Sequence, residues 1–273
     1  MRMKNLVKVE WFKIKKYRAF WWIFGVTALS YPGMSYIFKN FYTHLGDRKG
    51  QGAKAIKFLL GDPFSFPEVW HTLAFSSSLL VFVPAVVVIM FITNEYTYKT
   101  NRQNIIDGWS RNQFMLSKLI NVLILTLIIA LLYTITCFII GITNDTGSTN
   151  DKWSLIYYAG LFALQTFSQL SIAFLIGLLV RKAFISLGIF LFYFLILENI
   201  MVGLSHRYLN DIGEFLPFEI SDRLIPPPAF WGRIDADSYQ KALSQMNPHI
   251  FYTIILTTLI WLLCFRINNR RDL

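Results

Sequence analysis

The stretch NEYTYKTNRQNIIDGWSRNQF, Asn94–Phe114, separates two long apolar runs, Thr72–Thr93 and Phe114–Gly141. It is too short for a soluble domain, yet it is dense in charges, amides and helix signals. Each flanking run meets the roughly 20 residues that a bilayer's hydrocarbon core requires. Lipid offers the backbone no hydrogen-bond partners, so both runs are read as helices. From Tyr96 to Ile106 the connection has room for about three helical turns, roughly 16 Å at 1.5 Å per residue. Asp107-Gly108 breaks that helix. Ser110 followed by Gln113 is a capping-box pattern placed directly before the next apolar run. The pattern predicts a helix end, a short helix, a sharp turn and a new helix.

The same length test, worked outward, finds six spans: Ala19–Phe38, Thr72–Thr93, Phe114–Gly141, Trp153–Val180, Ala183–Leu204 and His249–Phe265. Composition agrees. Only 15% of the 273 residues are charged and 55% are hydrophobic, with a mean hydropathy of +0.46, whereas a soluble domain carries about a quarter charged residues. The expectation is an all-α, polytopic membrane protein forming one domain, 1–273, without internal repeats or a linker. The formal charge of +10 is then a topology signal, and nucleic acid is not expected as a partner.

Lysine and arginine set the orientation. Arg2, Lys4, Lys8, Lys13, Lys15, Lys16 and Arg18 precede the first span, and Lys99, Arg102 and Arg111 follow the second. Arg181 and Lys182 form the turn between spans four and five, and Arg266, Arg270 and Arg271 end the chain. All lie on one side if both termini are cytoplasmic. Lys39, Arg48, Lys49, Lys54 and Lys57 stand against this on the other side, in a long loop. Residues 205–248 are expected as an extracytoplasmic loop, with Pro226, Pro227 and Pro228 and a helix-like piece around Ala236–Met246.

Residues 1–18 predict an amphipathic helix at the membrane interface. Met3, Leu6, Val7, Ile14 and Tyr17 share one face, and Lys4, Lys8, Lys15 and Arg18 another. Trp11, Trp21 and Trp22 are interface anchors. Glu10 falls in the apolar stripe, where it either meets a partner or pairs locally with Lys13. Within the spans, Gln165, Ser168 and Gln169 share one face of span four. They either line a path or subunit contact, or make ordinary interhelical hydrogen bonds. Glu198, in span five nearer its outer end, is a candidate for an outer gate. Pro32 and Pro84 predict kinks.

Signatures of catalysis are missing from the sequence. It contains no GxxxxGK[ST] phosphate loop, nucleophile elbow, HExxH or dinucleotide loop. Cys137 and Cys264 both fall in apolar runs, so neither predicts a disulfide or a metal ligand. His44, His71, His206 and His249 lack ligand spacing, and no metal is expected.

Together these residues resemble a permease subunit of an ATP-binding-cassette (ABC) transporter of the type-2 exporter superfamily. The resemblance rests on the basic N-terminal segment with Glu10-Trp11 and Lys13, on six spans, and on Glu95, Thr100, Ile105-Ile106, Asp107-Gly108, Ser110-Arg111 and Lys118. Asp107-Gly108-Trp109 stands where many relatives carry a proline before the Ser-Arg pair. The resemblance implies that 96–106 is a coupling helix docking on a separate ATPase, with Glu95, Tyr96, Thr100, Arg102, Ile105, Ile106 and Arg111 at the contact. It implies two ATPase copies that hold ATP and Mg, no cofactor on this chain, and a second permease copy or homologue. It implies a multi-pass protein of a cell membrane, the bacterial cytoplasmic membrane, exporting an unidentified substrate by alternating access. The competing readings are a secondary transporter or channel driven by an ion gradient, and a non-transporting ABC-type complex that passes motion to a protein outside the membrane.

Overall fold

The computed structural model of the chain describes residues 18–46, 61–144, 151–208, 211–233 and 235–270. The expected interface helix, with Glu10, Trp11 and Lys13, lies outside the described residues. Among the described residues the chain is all-helical, with no strand.

Among the described residues the longer helices make six successive passes. The first is α1 (Arg18–Gly46), and the second is split into α2 (Val69–Ser78) and α3 (Phe82–Thr97). A short helix α4 (Thr100–Ile106) leads into α5 (Arg111–Thr143), which is followed by α6 (Tyr157–Val180). The fifth pass is α7 (Ala183–Phe192) and α8 (Glu198–Tyr208), joined by a π-helical turn, Tyr193–Leu197. Residues Pro217–Asp222 form the small helix α9, and α10 (Ala236–Arg270) closes the bundle. The end of α3, α4, the start of α5, the α6–α7 turn and the end of α10 meet on one face. That face is termed the short-helix face and the opposite one the loop face.

By length and apolarity, α5, α6, the α7–α8 pass and α10 are each able to cross a membrane, and the bent pair α2–α3 makes a fifth candidate. The sequence expectation of six is not matched on this criterion, because α1 is less apolar than the rest. Trp21, Trp22, Ser30, Tyr31, Pro32, Ser35 and Tyr36 dilute its aliphatic content.

The kink predicted at Pro84 splits span two into two helices. The span bends by 49° at Leu79–Val81, three to five residues ahead of Pro84. A proline ring clashes with the carbonyl four residues earlier, here that of Leu80, and removes one donor. The chain answers with tighter three-residue bonds, Leu80 N to Ser77 O at 3.0 Å and Val83 N to Leu80 O at 3.0 Å. Pro32, by contrast, sits inside a continuous α1. The expected loop helix at Ala236–Met246 and the sixth span at His249–Phe265 are also one element. The helix runs through Pro248, and the His249 ring donates from Nδ1 to Gln245 O at 2.7 Å beside the missing donor. In the fifth pass, Asn199 Nδ2 donates to Phe194 O and Leu195 O, both at 3.1 Å. This accounts for the π turn, because a side chain there satisfies carbonyls that the widened turn frees.

The centre of the bundle is α6. Of its most apolar window 61% of residues are buried, against 17% for the α7–α8 pass. Gly177 makes close approach possible: a Cβ there would collide with the side chain of Ile92 on α3. Toward the loop face the core is aromatic. Phe162 of α6 lies 6.1 Å edge-on from Tyr31 and 4.8 Å from Tyr133. The Tyr133 hydroxyl donates to Trp70 O at 2.5 Å and ties α5 to α2. His71 on α2 stacks 4.1 Å from Tyr158 and bonds Pro226 O at 2.8 Å.

Candidate functional site

The stretch Asn94–Phe114 folds as a clasp on the short-helix face. Helix α3 ends at Thr97, and Lys99 adopts the left-handed conformation, φ 55°, which turns the chain. The short helix therefore begins at Thr100 rather than at Tyr96, and spans about two turns instead of three. Its far end is closed as expected. Gly108 has φ +94°, a conformation glycine adopts without steric cost, and Trp109 N bonds back to Asn104 O at 3.0 Å. Ser110 and Gln113 form the capping box: Gln113 N donates to Ser110 Oγ at 3.1 Å, and Ser110 N to Gln113 Oε1 at 3.0 Å.

Beneath α4 lies a shielded ion pair. Lys118 Nζ on α5 donates to Glu95 Oε1 at 2.5 Å, and Thr100 Oγ1 donates to Glu95 Oε2 at 2.5 Å. The side chains of Lys118 and Glu95 are only 4% and 7% exposed. One carboxylate thus joins the end of α3, the start of α4 and the second turn of α5. At such burial the pair is little screened by salt, and its geometry fixes the three segments relative to one another. Tyr96 adds a further link, with the Arg181 guanidinium 4.4 Å above its ring. Arg181 itself is left-handed, φ 62°, and forms the α6–α7 turn. The clasp therefore touches the ends of passes two through five.

The opposite surface of α4 is open. Asn101 and Asn104 face inward, while Arg102 and Gln103 are exposed and Ile105 is half-buried. Ile106 is 85% exposed and the neighbouring Tyr98 65%. Arg111 turns elsewhere: it donates from a terminal guanidinium nitrogen to Asn269 O at 2.6 Å. Asn268 Nδ2 donates to Arg111 O at 3.0 Å, and Asn269 Nδ2 to Asn112 Oδ1 at 2.8 Å. A cation at the carboxyl end of a helix is favoured by the helix dipole, and here it fastens α10 to α5.

A second polar group forms toward the loop face, around α9. Gln165 and Gln169 of α6 both donate to Asp222 Oδ1, at 2.7 and 2.6 Å. Gln169 also donates to Ser221 Oγ at 3.2 Å. Glu198 Oε1 accepts from Phe218 N and Glu219 N, both at 2.7 Å, and so caps α9. Ser168 is fully buried on α6. Three of the four intramembrane residues singled out from the sequence, Gln165, Gln169 and Glu198, therefore converge on one small helix. Asp222, which joins the two glutamines, carries no local signal, since its partners lie more than 50 residues away in the chain. Lys118 was legible only as a motif position, and the contacts of Asn268 and Asn269 were not legible at all.

A family model described as ABC-2 family transporter protein matches residues 6–197, well over half of the chain, from before α1 through the π turn. The chain belongs to the ABC-2 family of transporter proteins. No individual curated protein is similar enough to match it. As an ABC-2 member with several membrane-crossing helices, it is a multi-pass membrane protein and a component of an ABC-type transporter. The family implies an ABC ATPase as partner. The clasp formed by Glu95, Thr100 and Lys118 falls within the matched residues.

Proposed function

We propose that the chain is the permease subunit of an ABC exporter and that α4 is its coupling helix. The observation that carries this reading is the pairing of an exposed apolar end with a buried anchor. Ile106 and Tyr98 stand out from the surface, while Glu95 fixes the same segment to Lys118 and Thr100. A large apolar side chain exposed on a polar helix end suits insertion into a groove on a partner. The shielded ion pair suits transmission of that partner's movement into the spans. The ATPase is a separate polypeptide that holds ATP and Mg; two copies work with two permeases. Lys99, Arg102, Arg111, Arg181, Lys182, Arg266 and Arg270 belong to the helix ends and turns of the short-helix face, and by the positive-inside rule this supports a cytoplasmic placement of that face. The membrane is the bacterial cytoplasmic membrane, and transport proceeds by alternating access.

The test is the double variant Arg102→Glu, Ile106→Asp. Both side chains are exposed, so insertion and melting should be unchanged. Purified with its ATPase in lipid nanodiscs, the variant should lose at least tenfold in ATPase stimulation and in ATPase retention on a column. Stimulation equal to the parent places the docking surface elsewhere. A parent chain that never retains an ATPase would instead bring forward the ion-gradient transporter.

A further inference from the structure

The structure assigns Asp222 as the docking point for a cationic group, an ammonium or guanidinium, on the loop-face side of the route between permeases. Depth is the first consideration. Gln165 and Gln169 lie eight and twelve residues into α6, roughly 12–18 Å from its loop-face end at 1.5 Å per residue. Glu198 lies ten residues from the end of α8, roughly 15 Å by the same rise. Two spans independently place α9 at the same depth. The segment has thus folded back into the bundle and does not remain at the surface. Thr253 of α10 donates to Ile220 O at 3.3 Å and holds its third side.

At that depth Asp222 is exposed at the surface of the single chain. A carboxylate facing lipid there is costly, and such residues face a neighbour or water. The surrounding donors do not neutralise it. Asp222 accepts from two neutral amides, and Glu198 accepts from backbone N–H groups. Arg223, the nearest cation in sequence, is engaged by Glu219 at 2.8 Å, Gln245 at 2.7 Å and Glu214 at 3.2 Å.

The glutamines supply the independent observation. Each is 1% exposed, and each has its Oε1 without a hydrogen-bond partner. An amide oxygen lies about 2 Å from its own nitrogen, so both orphan oxygens sit within about 5 Å of the Asp222 carboxylate. Ser168 Oγ, one turn away, is also buried without a partner. Buried acceptors left without donors are destabilising. Rotation of either amide brings its oxygen toward a donor arriving at Asp222. One carboxylate with two amide oxygens is an acceptor set, and it recognises a group that carries both positive charge and N–H donors.

This inference deepens the exporter reading and rests on it, but its test needs no ATPase. The chain is placed in phosphatidylcholine nanodiscs and titrated with dansylcadaverine, a primary-amine fluorophore, with empty nanodiscs as background. The expected result is saturable binding that octylammonium displaces and octanol does not. Asp222→Asn should weaken it at least tenfold. The asparagine oxygen still accepts from both glutamines, so folding is retained, as checked by melting. Equal binding by the Asp222→Asn chain, displacement by octanol, or no saturable binding overturns the assignment. Particle mass separates the two sources of a cation. An unchanged subunit count in Asp222→Asn supports a solute, whereas loss of dimers without dansylcadaverine binding to the parent shows a partner's own lysine or arginine and overturns the solute site.

Discussion

Replacing Lys118 by Met keeps the length of the side chain and most of its apolar stem while removing the charge. The Glu95 carboxylate would then stay buried, its side chain 7% exposed, without the ammonium now 2.5 Å away. Breaking a buried pair on one side costs about 3–5 kcal/mol, because a desolvated charge is left behind. A soluble domain of similar size shifts by roughly 2–4 °C per kcal/mol, so a fall in Tm of about 6–20 °C is expected. The double variant Lys118→Met, Glu95→Gln removes both charges, and the amide oxygen still accepts from Thr100. It should recover to within about 1 kcal/mol of the parent, since buried pairs are often no better than neutral replacements. The assay is thermal unfolding in nanodiscs followed by tryptophan fluorescence, at low and high salt. A single variant melting within about 2 °C of the parent, or a double variant no better than the single, would refute the claim of a shielded pair.

Ser110→Ala should lose the capping box and about 1 kcal/mol, with hydrogen exchange accelerated in the first turn of α5 and unchanged in its centre. Glu198→Leu should expose the Phe218 and Glu219 amides to faster exchange and cost about 2–4 kcal/mol, the range for losing charge-assisted bonds to buried donors. Glu198→Gln, which still accepts, should recover much of that loss in the same melt. Asp211 bonds Lys241 at 2.9 Å and also His206, and these partners, Lys241 foremost, hold its carboxyl down at about 2. A depressed carboxylate contributes above its unfolded value and loses that contribution as pH falls through the folded one. The contacts of Asp211 should therefore persist from neutral pH to below pH 3.8 and fade only near pH 2. Carbon-13 NMR of labelled aspartate reads this directly.

The spans were legible because hydropathy is a local property. Phe114–Gly141 and Trp153–Val180 need no partner to declare themselves. The clasp was half legible. Ser110-Gln113 and Asp107-Gly108 are local chemistry, and both behave as their spacing requires. The start of α4 was misplaced because Lys99 is left-handed there, a conformation its residue type does not announce. The bend in span two falls at the carbonyls that Pro84 disturbs, a turn ahead of the proline itself. A proline in a helix commonly ends it, and the continuation of α10 through Pro248 has no local signal in the sequence. The α9 cluster was illegible for a different reason. Glutamines on α6, a glutamate on α8 and an aspartate after a proline-led turn have no reason to be associated until the fold brings them together.

Helix α10 has a mechanical consequence. Its 35 residues make a rod about 52 Å long, well beyond the roughly 30 Å of a hydrocarbon core. One end is latched to Arg111 and Asn112 beside the clasp. Near the other, Gln245 grips Arg223 and Lys241 grips Asp211. Such a rod is a lever with a fulcrum where Thr253 and Trp261 meet α9 and α6. A tilt of ~5° about that fulcrum carries the far end, about 25–38 Å away, by about 2–3 Å. Work done on one side of the membrane would thus arrive on the other as a stroke about as long as a hydrogen bond, without any loop having to relay it.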